Sequence, residues 1–322
     1  MKEDSVCIII LNWNGKEYTK DCIQSIKDNT SYENFDVVVV DNGSNDGSSK
    51  MIKEKFPEVK LIEKSRNLGF SIANNIGMYD NPGYSFYLLL NNDTKVKEDW
   101  LSEMIETVKE HESAGIVGAK LLYPDNTIQH AGGKLKGGKS VHIGEGENPD
   151  KFDSDTKREY VTGAAFLIDS EVKKEIGYLD EVFTPASYEE TDYCKRAKEA
   201  GYEIFFSSDS EIIHYEGKTR ENTKNEQKYL IQRKNALVYL ILNGGLTDLV
   251  RKLFVEMKHL TASIIGYKYN PRKALFTAHL GILKDLPALV YKRFNRDEHV
   301  PSYYCEGSKD YSNIHILNSE QG

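Results

Sequence analysis

Three apolar runs in this chain each end abruptly on a polar cluster. Phe86–Leu90 stops on Asn91-Asn92-Asp93, Phe35–Val40 on Asp41-Asn42-Gly43-Ser44-Asn45-Asp46-Gly47, and Val6–Leu11 on Asn12-Trp13-Asn14-Gly15. Such runs read as strands buried on both faces. In open α/β sheets, ligands collect at the carboxyl ends of strands. Asp93, a lone carboxylate among amides and a hydroxyl, suits a hard divalent cation shared with substrate phosphates. Asp41 could accept from a base or ribose, and Trp13 offers an aromatic plate. Together they would make a nucleoside-diphosphate site. Asn91–Asp93 and the Asp41 loop also read as ordinary turn chemistry, and residues alone leave both readings open. A further cluster, Glu189-Glu190-Thr191-Asp192, opens a helical pattern. Its carboxylates either favour the helix N-terminus or include one that takes a proton from an attacking hydroxyl.

The elements that must position these groups follow from periodicity. Helical spacing over Lys16–Lys27 puts Tyr18, Cys22, Ile23 and Ile26 on one face. A short helix with Met51, Ile52 and Phe56 stops before Pro57. Val59–Ile62 reads as a strand, the stretch from Gly69 as a helix, and Trp100, Leu101, Met104, Ile105 and Val108 mark another helix before a strand at Ile116–Leu122. This βαβα order predicts an α/β fold with a mostly parallel, doubly wound sheet. Beyond Tyr123 the pattern changes. Gly132–Gly146 reads as a hairpin or loop, Tyr160–Ile168 as a strand through Gly163, Ser187–Ala200 as a helix, and Glu203–Ser207 and Glu211–Tyr215 as two short strands. His130 reads as part of a turn. From about Asn225 the chain looks helical, with breaks at Asn243-Gly244-Gly245 and Asn270-Pro271.

The 322 residues allow one large α/β domain or a domain with an appendage. A net charge of −8 argues against a nucleic-acid partner, which would favour a basic protein. The four cysteines, Cys7, Cys22, Cys194 and Cys305, lack metal-ligand spacing. Cys7 and Cys22 fall on apolar faces, so buried thiols and a reducing compartment are expected. The apolar part of the N-terminus is too short for a signal peptide, and no window is apolar enough to span a membrane. Neither GxGxxG nor GxxxxGK[ST] follows a strand, so a diphosphate would need a cation and side chains instead of a glycine cradle.

Seven segments, VCIIILNWNG, VVVVDNGSNDGS, RNLGFSIANNIG, LLLNNDT, VTGAAFLI, YEETDYCKRAKEAGY and HYEGKT, occur here in the order seen in inverting family 2 glycosyltransferases. The resemblance covers roughly residues 5 to 240 and is strongest to rhamnosyltransferase-like members of bacterial and archaeal polysaccharide assembly. It implies a GT-A fold, a nucleotide-sugar donor (a UDP- or dTDP-sugar, such as dTDP-rhamnose), a saccharide or lipid-linked acceptor, and a divalent metal, Mg or Mn. By position, Asn12 and Trp13 match the segment lining the nucleotide, Asp41 the carboxylate that recognises the base, and Asn67 and Asn74 the polar residues around it. Asn91-Asn92-Asp93 stands in the place of the DxD motif. With Asn at its first position, ligation falls mainly on Asp93, and Asn92 shapes the turn or touches the nucleotide. His214 matches a histidine that completes the cation shell. Gly163 and Ala164 match the donor-sugar and acceptor loop, Glu189 a residue orienting the acceptor, and Glu190 the catalytic base, with Asp192 as the alternative.

On this basis residues 1–225 form the catalytic domain, its nucleotide-binding half about 1–125 and its acceptor half about 126–225, and residues 226–322 form a helical C-terminal extension. The late amphipathic helices, Leu246–Gly266 and Arg272–Phe294, would pack on protein, including a second copy, or lie on a membrane bearing the acceptor. The expected location is cytoplasmic, at most peripheral to the inner face of the membrane. Two rival readings are a sugar nucleotidyltransferase, for which LNWNGKEY is a poor phosphate loop, and a non-catalytic carbohydrate-binding protein, which would not need the acidic cluster.

Overall fold

The computed structural model describes residues 4–136, 139–215, 225–245, 247–252, 254–255 and 272–294. The first half alternates strands and helices as the periodicity requires: β1 (Val6–Asn12), α1 (Lys16–Asn29), β2 (Phe35–Asp41), α2 (Ser48–Lys55), β3 (Lys60–Glu63), α3 (Phe70–Tyr79), β4 (Phe86–Asn91), β5 (Thr94–Val96), α4 (Trp100–Glu110) and β6 (Ala114–Leu122). The second half adds β7 (Ile128–His130), the hairpin β8 (Gly133–Lys136) and β9 (Lys139–His142), β10 (Thr156–Lys157), β11 (Ala165–Asp169), α5 (Ser170–Ile176), α6 (Glu189–Glu199) and β12 (Glu203–His214). Two helices follow, α7 (Asn225–Asn243) and α8 (Arg272–Phe294).

The main sheet runs β10-β12-β6-β11-β4-β1-β2-β3 and is mostly parallel, with β11 antiparallel to both its neighbours. Its strands are apolar on both faces because helices cover both. Ile8, Ile10, Leu88 and Leu90 face a core with Cys22, Ile26, Trp100 and Met104, while Ile9, Val38 and Leu89 face one with Ala73, Phe166 and Tyr193. The register aligns the polar clusters: Asn12 is opposite Asp41 across β1 and β2, and Leu11 is opposite Asn91 across β1 and β4. All three clusters therefore share one sheet edge.

Several boundaries differ from the sequence pattern for identifiable reasons. The strand expected over Tyr160–Ile168 joins the main sheet only from Ala165, opposite Leu90, because β4 ends one residue later; Tyr160 bridges Gly133 instead. The two short strands near Glu203 and Glu211 are a single strand, β12, interrupted by a register shift between Ser207 and Glu211. Asp155 Oδ1 secures that bulge, accepting from Ser208 N–H at 2.7 Å and Ser208 Oγ at 2.9 Å. The three-residue β5 carried too few residues to show a period. It pairs antiparallel with the end of β12 and sets Thr94 opposite His214. The helix expected from Ser187 begins at Glu189, since Ser187 (φ 83°) and Tyr188 (φ 78°) are left-handed. His130, read as a turn residue, is buried in β7. The thiols of Cys7 and Cys22 are buried as expected, and burial pushes each up to about 12.

The break expected at Asn243-Gly244-Gly245 ends α7, and α8 spans Arg272–Phe294 as its pattern requires. Ala236–Leu242 of α7 pack with Phe183, Tyr188 and, from α8, Ile282 and Leu289. Lys292 Nζ reaches Asp180 Oδ1 at 2.6 Å, and Arg293 donates to the carbonyls of Ile241 and Gly244. Most of Leu246–Gly266, and Cys305, lie outside the described residues. Among those described, no helix is long and apolar enough to cross a membrane.

Candidate active site

Asn12 joins the three strand ends. Completely buried, it donates through Nδ2 to Asp41 Oδ2 at 2.7 Å and to Ser44 Oγ at 3.1 Å. Its Oδ1 accepts from Thr19 Oγ1 (2.7 Å), Gly15 N–H (3.2 Å) and Asn92 Nδ2 (3.2 Å). Asn92 also donates to Thr19 Oγ1 at 3.0 Å. Gly15 makes this crossing possible: a Cβ there would stand 2.3 Å from Asn92 Nδ2. Asp41 Oδ1 accepts from Ser44 N–H at 2.9 Å, fixing the loop. A carboxylate has about four acceptor positions, so two such bonds leave capacity for a ligand. Half-buried Trp13 borders this group.

Asn67 is exposed and its Oδ1 accepts from Asn42 Nδ2 and Gly69 N–H, both at 2.9 Å. The buried Asn42, which carried no signal of its own among the loop's turn formers, ties this turn to the end of β2. Asn74 is buried one turn into α3, its amide on the Phe70 carbonyl at 3.0 Å.

Asp93 and His214 meet because β5 pairs with β12. His214 Nε2 lies 3.1 Å from Asp93 Oδ1 and 3.3 Å from Asn91 Nδ2, while its Nδ1 lies 2.6 Å from Gln129 Oε1. Gln129 Nε2 faces the His214 carbonyl at 3.3 Å, which orients the amide with its oxygen toward the ring. In the tautomer that donates Nδ1–H to Gln129, Nε2 offers its lone pair beside Asp93 Oδ1 and the Asn91 amide. An imidazole nitrogen and a carboxylate oxygen side by side are donor atoms that a divalent cation can take. The donor set fits a divalent ion, although no group of three His, Cys, Asp or Glu converges among the described residues. Other ligands would have to come from amides, water or the substrate's phosphates. Gln129 escaped sequence reading because a supporting glutamine has no spacing signature.

The acceptor side forms across the same edge. Asn91 N–H donates to the Ala164 carbonyl at 3.0 Å, joining the end of β4 to the Gly163-Ala164 loop. A Cβ on Gly163 would lie 3.0 Å from Phe70 Cζ and 4.0 Å from Glu190 Cβ, so this loop adjoins Glu190 closely. Tyr160 and Tyr188 border the same carboxylate: burial first, then the charge of Glu190, pushes both phenols above their usual range. Asp192 is placed differently. It is completely buried, with Oδ2 on Arg196 Nε at 2.9 Å and Oδ1 on Asn243 Nδ2 at 2.8 Å. Arg196 continues to the carbonyls of Ile176 and Tyr178. Glu189 is buried beside Glu190 at the start of α6.

Residues 5–168 match the sequence profile of Glycosyl transferase family 2. The chain belongs to that family. Among its relatives is the O-antigen biosynthesis protein RfbC of Myxococcus xanthus, 26% identical over 226 residues, or 67% of this chain and 18% of that protein. The chain spans only 26% and 18% of the lengths of two curated relatives that align with 69% and 67% of it. Its fold resembles GalNAc-T7, solved with UDP, GalNAc and Mn2+, with a TM-score of 0.61 at 14% identity over 94% of this chain and 56% of that one. It also resembles S. aureus TarS 1-349 in complex with UDP-GlcNAc, with a TM-score of 0.57 at 16% identity over 91% of this chain and 88% of that one. These likenesses establish the GT-A architecture.

Proposed function

We propose that this family 2 glycosyltransferase moves a sugar from a nucleoside-diphosphate donor to a hydroxyl of a saccharide or lipid-linked acceptor, with inversion, in polysaccharide assembly. The carrying observation is the alignment of three groups along one sheet edge: the Asn12–Asp41–Asn92 network, the Asp93–His214 pair, and Glu190 against Gly163. The UDP and UDP-GlcNAc in the neighbours' structures support a nucleotide donor, and the relative's part in O-antigen biosynthesis supports a glycan product. The rhamnosyl character suggested by sequence makes dTDP-rhamnose a donor to include.

The nucleoside lies over Asp41, Asn12 and Trp13, and its diphosphate points toward Asp93. Asp93 and His214 would hold a divalent cation, consistent with the Mn2+ of the GalNAc-T7 structure, which when bound neutralises charge on the departing diphosphate. Glu190 accepts the proton of the acceptor hydroxyl. That oxygen attacks the anomeric carbon from the face opposite the diphosphate, the new C–O bond forms as the old one breaks, and the nucleoside diphosphate leaves with the bonding pair. A single displacement of this kind inverts the centre.

The test is a panel of UDP-, dTDP- and GDP-sugars with Mn2+, scored by calorimetric binding and product mass. Absence of nucleotide-sugar binding across the panel would sink the reading. Glu190→Gln is expected to lower transfer by about 10²–10⁴-fold while sparing donor affinity. Turnover within about tenfold of wild type would remove Glu190 from the role of base.

A further inference from the structure

The turn that leads into Glu190 is strained, and its support comes from α7. Ser187 and Tyr188 are successive non-glycine residues at φ 83° and 78°, a conformation that L side chains keep only when their surroundings impose it. Tyr188 occupies the N-cap position of α6 and makes no side-chain capping bond there. Asn235 of α7 faces this turn and is completely buried. Its Nδ2 donates to the carbonyls of Phe183 at 2.6 Å, Ala186 at 2.9 Å and Ser187 at 3.0 Å. Three converging carbonyls fix which end of the amide faces them: the NH2, whose two protons they share, and not the oxygen.

Asn235 does not act alone. Tyr239 and Asn243 follow at intervals of four and share its helical stripe. The Tyr239 ring lies against that of Tyr188, with centroids 5.6 Å apart. Asn243 Nδ2 holds Asp192 Oδ1 at 2.8 Å. One stripe of α7 thus grips the chain just before Glu189-Glu190 and again just after, and the Cβ of Glu190 between them lies beside Gly163. A helix that served only to cover apolar surface would need none of these polar contacts.

We infer that Asn235 is a positioning residue for Glu190: it holds the left-handed Ser187-Tyr188 turn, and through it the base, against the acceptor. This rests on the proposed role of Glu190. Losing Asn235 lets the turn relax toward negative φ, which shifts the carboxylate without touching the nucleotide end of the site.

The experiment compares the full-length wild type with Asn235→Ala, Ser187→Gly and the double variant. For Asn235→Ala, transfer at saturating donor should fall by about tenfold to a hundredfold, with the donor KM within about twofold of wild type. Amide exchange should accelerate at residues 187–190 and stay unchanged along β1 and β4. Ser187→Gly in the Asn235→Ala background should recover part of the lost kcat, because glycine adopts the left-handed turn without a steric cost. Loss of activity only in proportion to loss of folded protein, a raised donor KM at unchanged kcat, or unaltered exchange at the turn would each overturn the inference. Wild-type protein inactive toward every donor would instead overturn the functional reading. The exchange measurement would then still decide whether Asn235 holds the turn.

Discussion

Asp93 and His214 are separated by 121 positions in sequence and by 3.1 Å in space. Their neighbours divide the labour. Asn92 is turned inward onto Asn12 and Thr19, whereas Asn91 faces the His214 ring. The amide of Gln129 accepts from Nδ1–H in the tautomer that turns the Nε2 lone pair toward Asn91 and Asp93 at the candidate cation site. Gln129→Leu removes the acceptor for Nδ1–H, so Mn2+ affinity in the presence of UDP should weaken by about 10–100-fold, read by calorimetry or by loss of the free-ion paramagnetic signal. Unchanged Mn2+ affinity would show that Gln129 does not set the tautomer. Asp93 stands out in sequence as a carboxylate at a strand end. Gln129 does not, because its role depends only on where β7 lies.

At the scale of elements, the site depends on close crossings between strand ends and helix starts. The first turn of α1 approaches the end of β4 through Gly15, and an added Cβ there would overlap the Asn92 amide. Gly15→Ala should push Asn92 off Asn12 and Thr19, leaving buried polar atoms short of partners. The expected cost is about 1–3 kcal/mol in urea unfolding, together with weaker UDP binding. Stability and UDP affinity both equal to wild type would mean that Asn92 has other room to occupy. The long strands and helices were legible because apolar period and length agreed. β5 and the left-handed turn before α6 were not, because three residues show no period and nothing local in Ser187-Tyr188 favours positive φ. Both are imposed by partners distant in sequence: β12 for the first, α7 for the second.

At the scale of the whole molecule, folding buries one histidine, His130, against another, His142, that stays exposed. His130 is 1% exposed, and its Nδ1 lies 3.1 Å from His142 Nδ1. Burial first, then the charges of His142, Arg158 and His214, hold His130 well below the usual histidine value of 6.5. The unfolded chain therefore binds this proton at a higher pH than the folded one does. The group's contribution to stability is complete above 6.5 and is lost as pH falls from there toward the folded value. The slope due to His130 is at most about 1.4 kcal/mol per pH unit. Unfolding curves for wild type and His130→Phe should diverge as pH falls from about 7 to about 5, with the variant less sensitive. Parallel curves across that interval would remove His130 as the source.

Taken alone, the amino-acid sequence determined the alternating α/β order, the buried strands and the three polar clusters that close β1, β2 and β4. Those features follow from local rules: apolar length, helical period and turn composition act over neighbouring residues. Membership of Glycosyl transferase family 2 was legible for the same reason, since its motifs lie in order along the chain. Only the tertiary structure decided which polar groups face one another. It placed His214 beside Asp93, turned Asn74 into α3, engaged Asp192 with Arg196 and Asn243, and left Glu190 adjoining Gly163. Asn74 on Phe70 and Arg196 on Asp192 are each contacts within one helix. The Asp93–His214 pair, the Asp192–Asn243 bond and the approach of Glu190 to Gly163 depend on strand register or helix packing between segments far apart in sequence, and no local pattern encodes those.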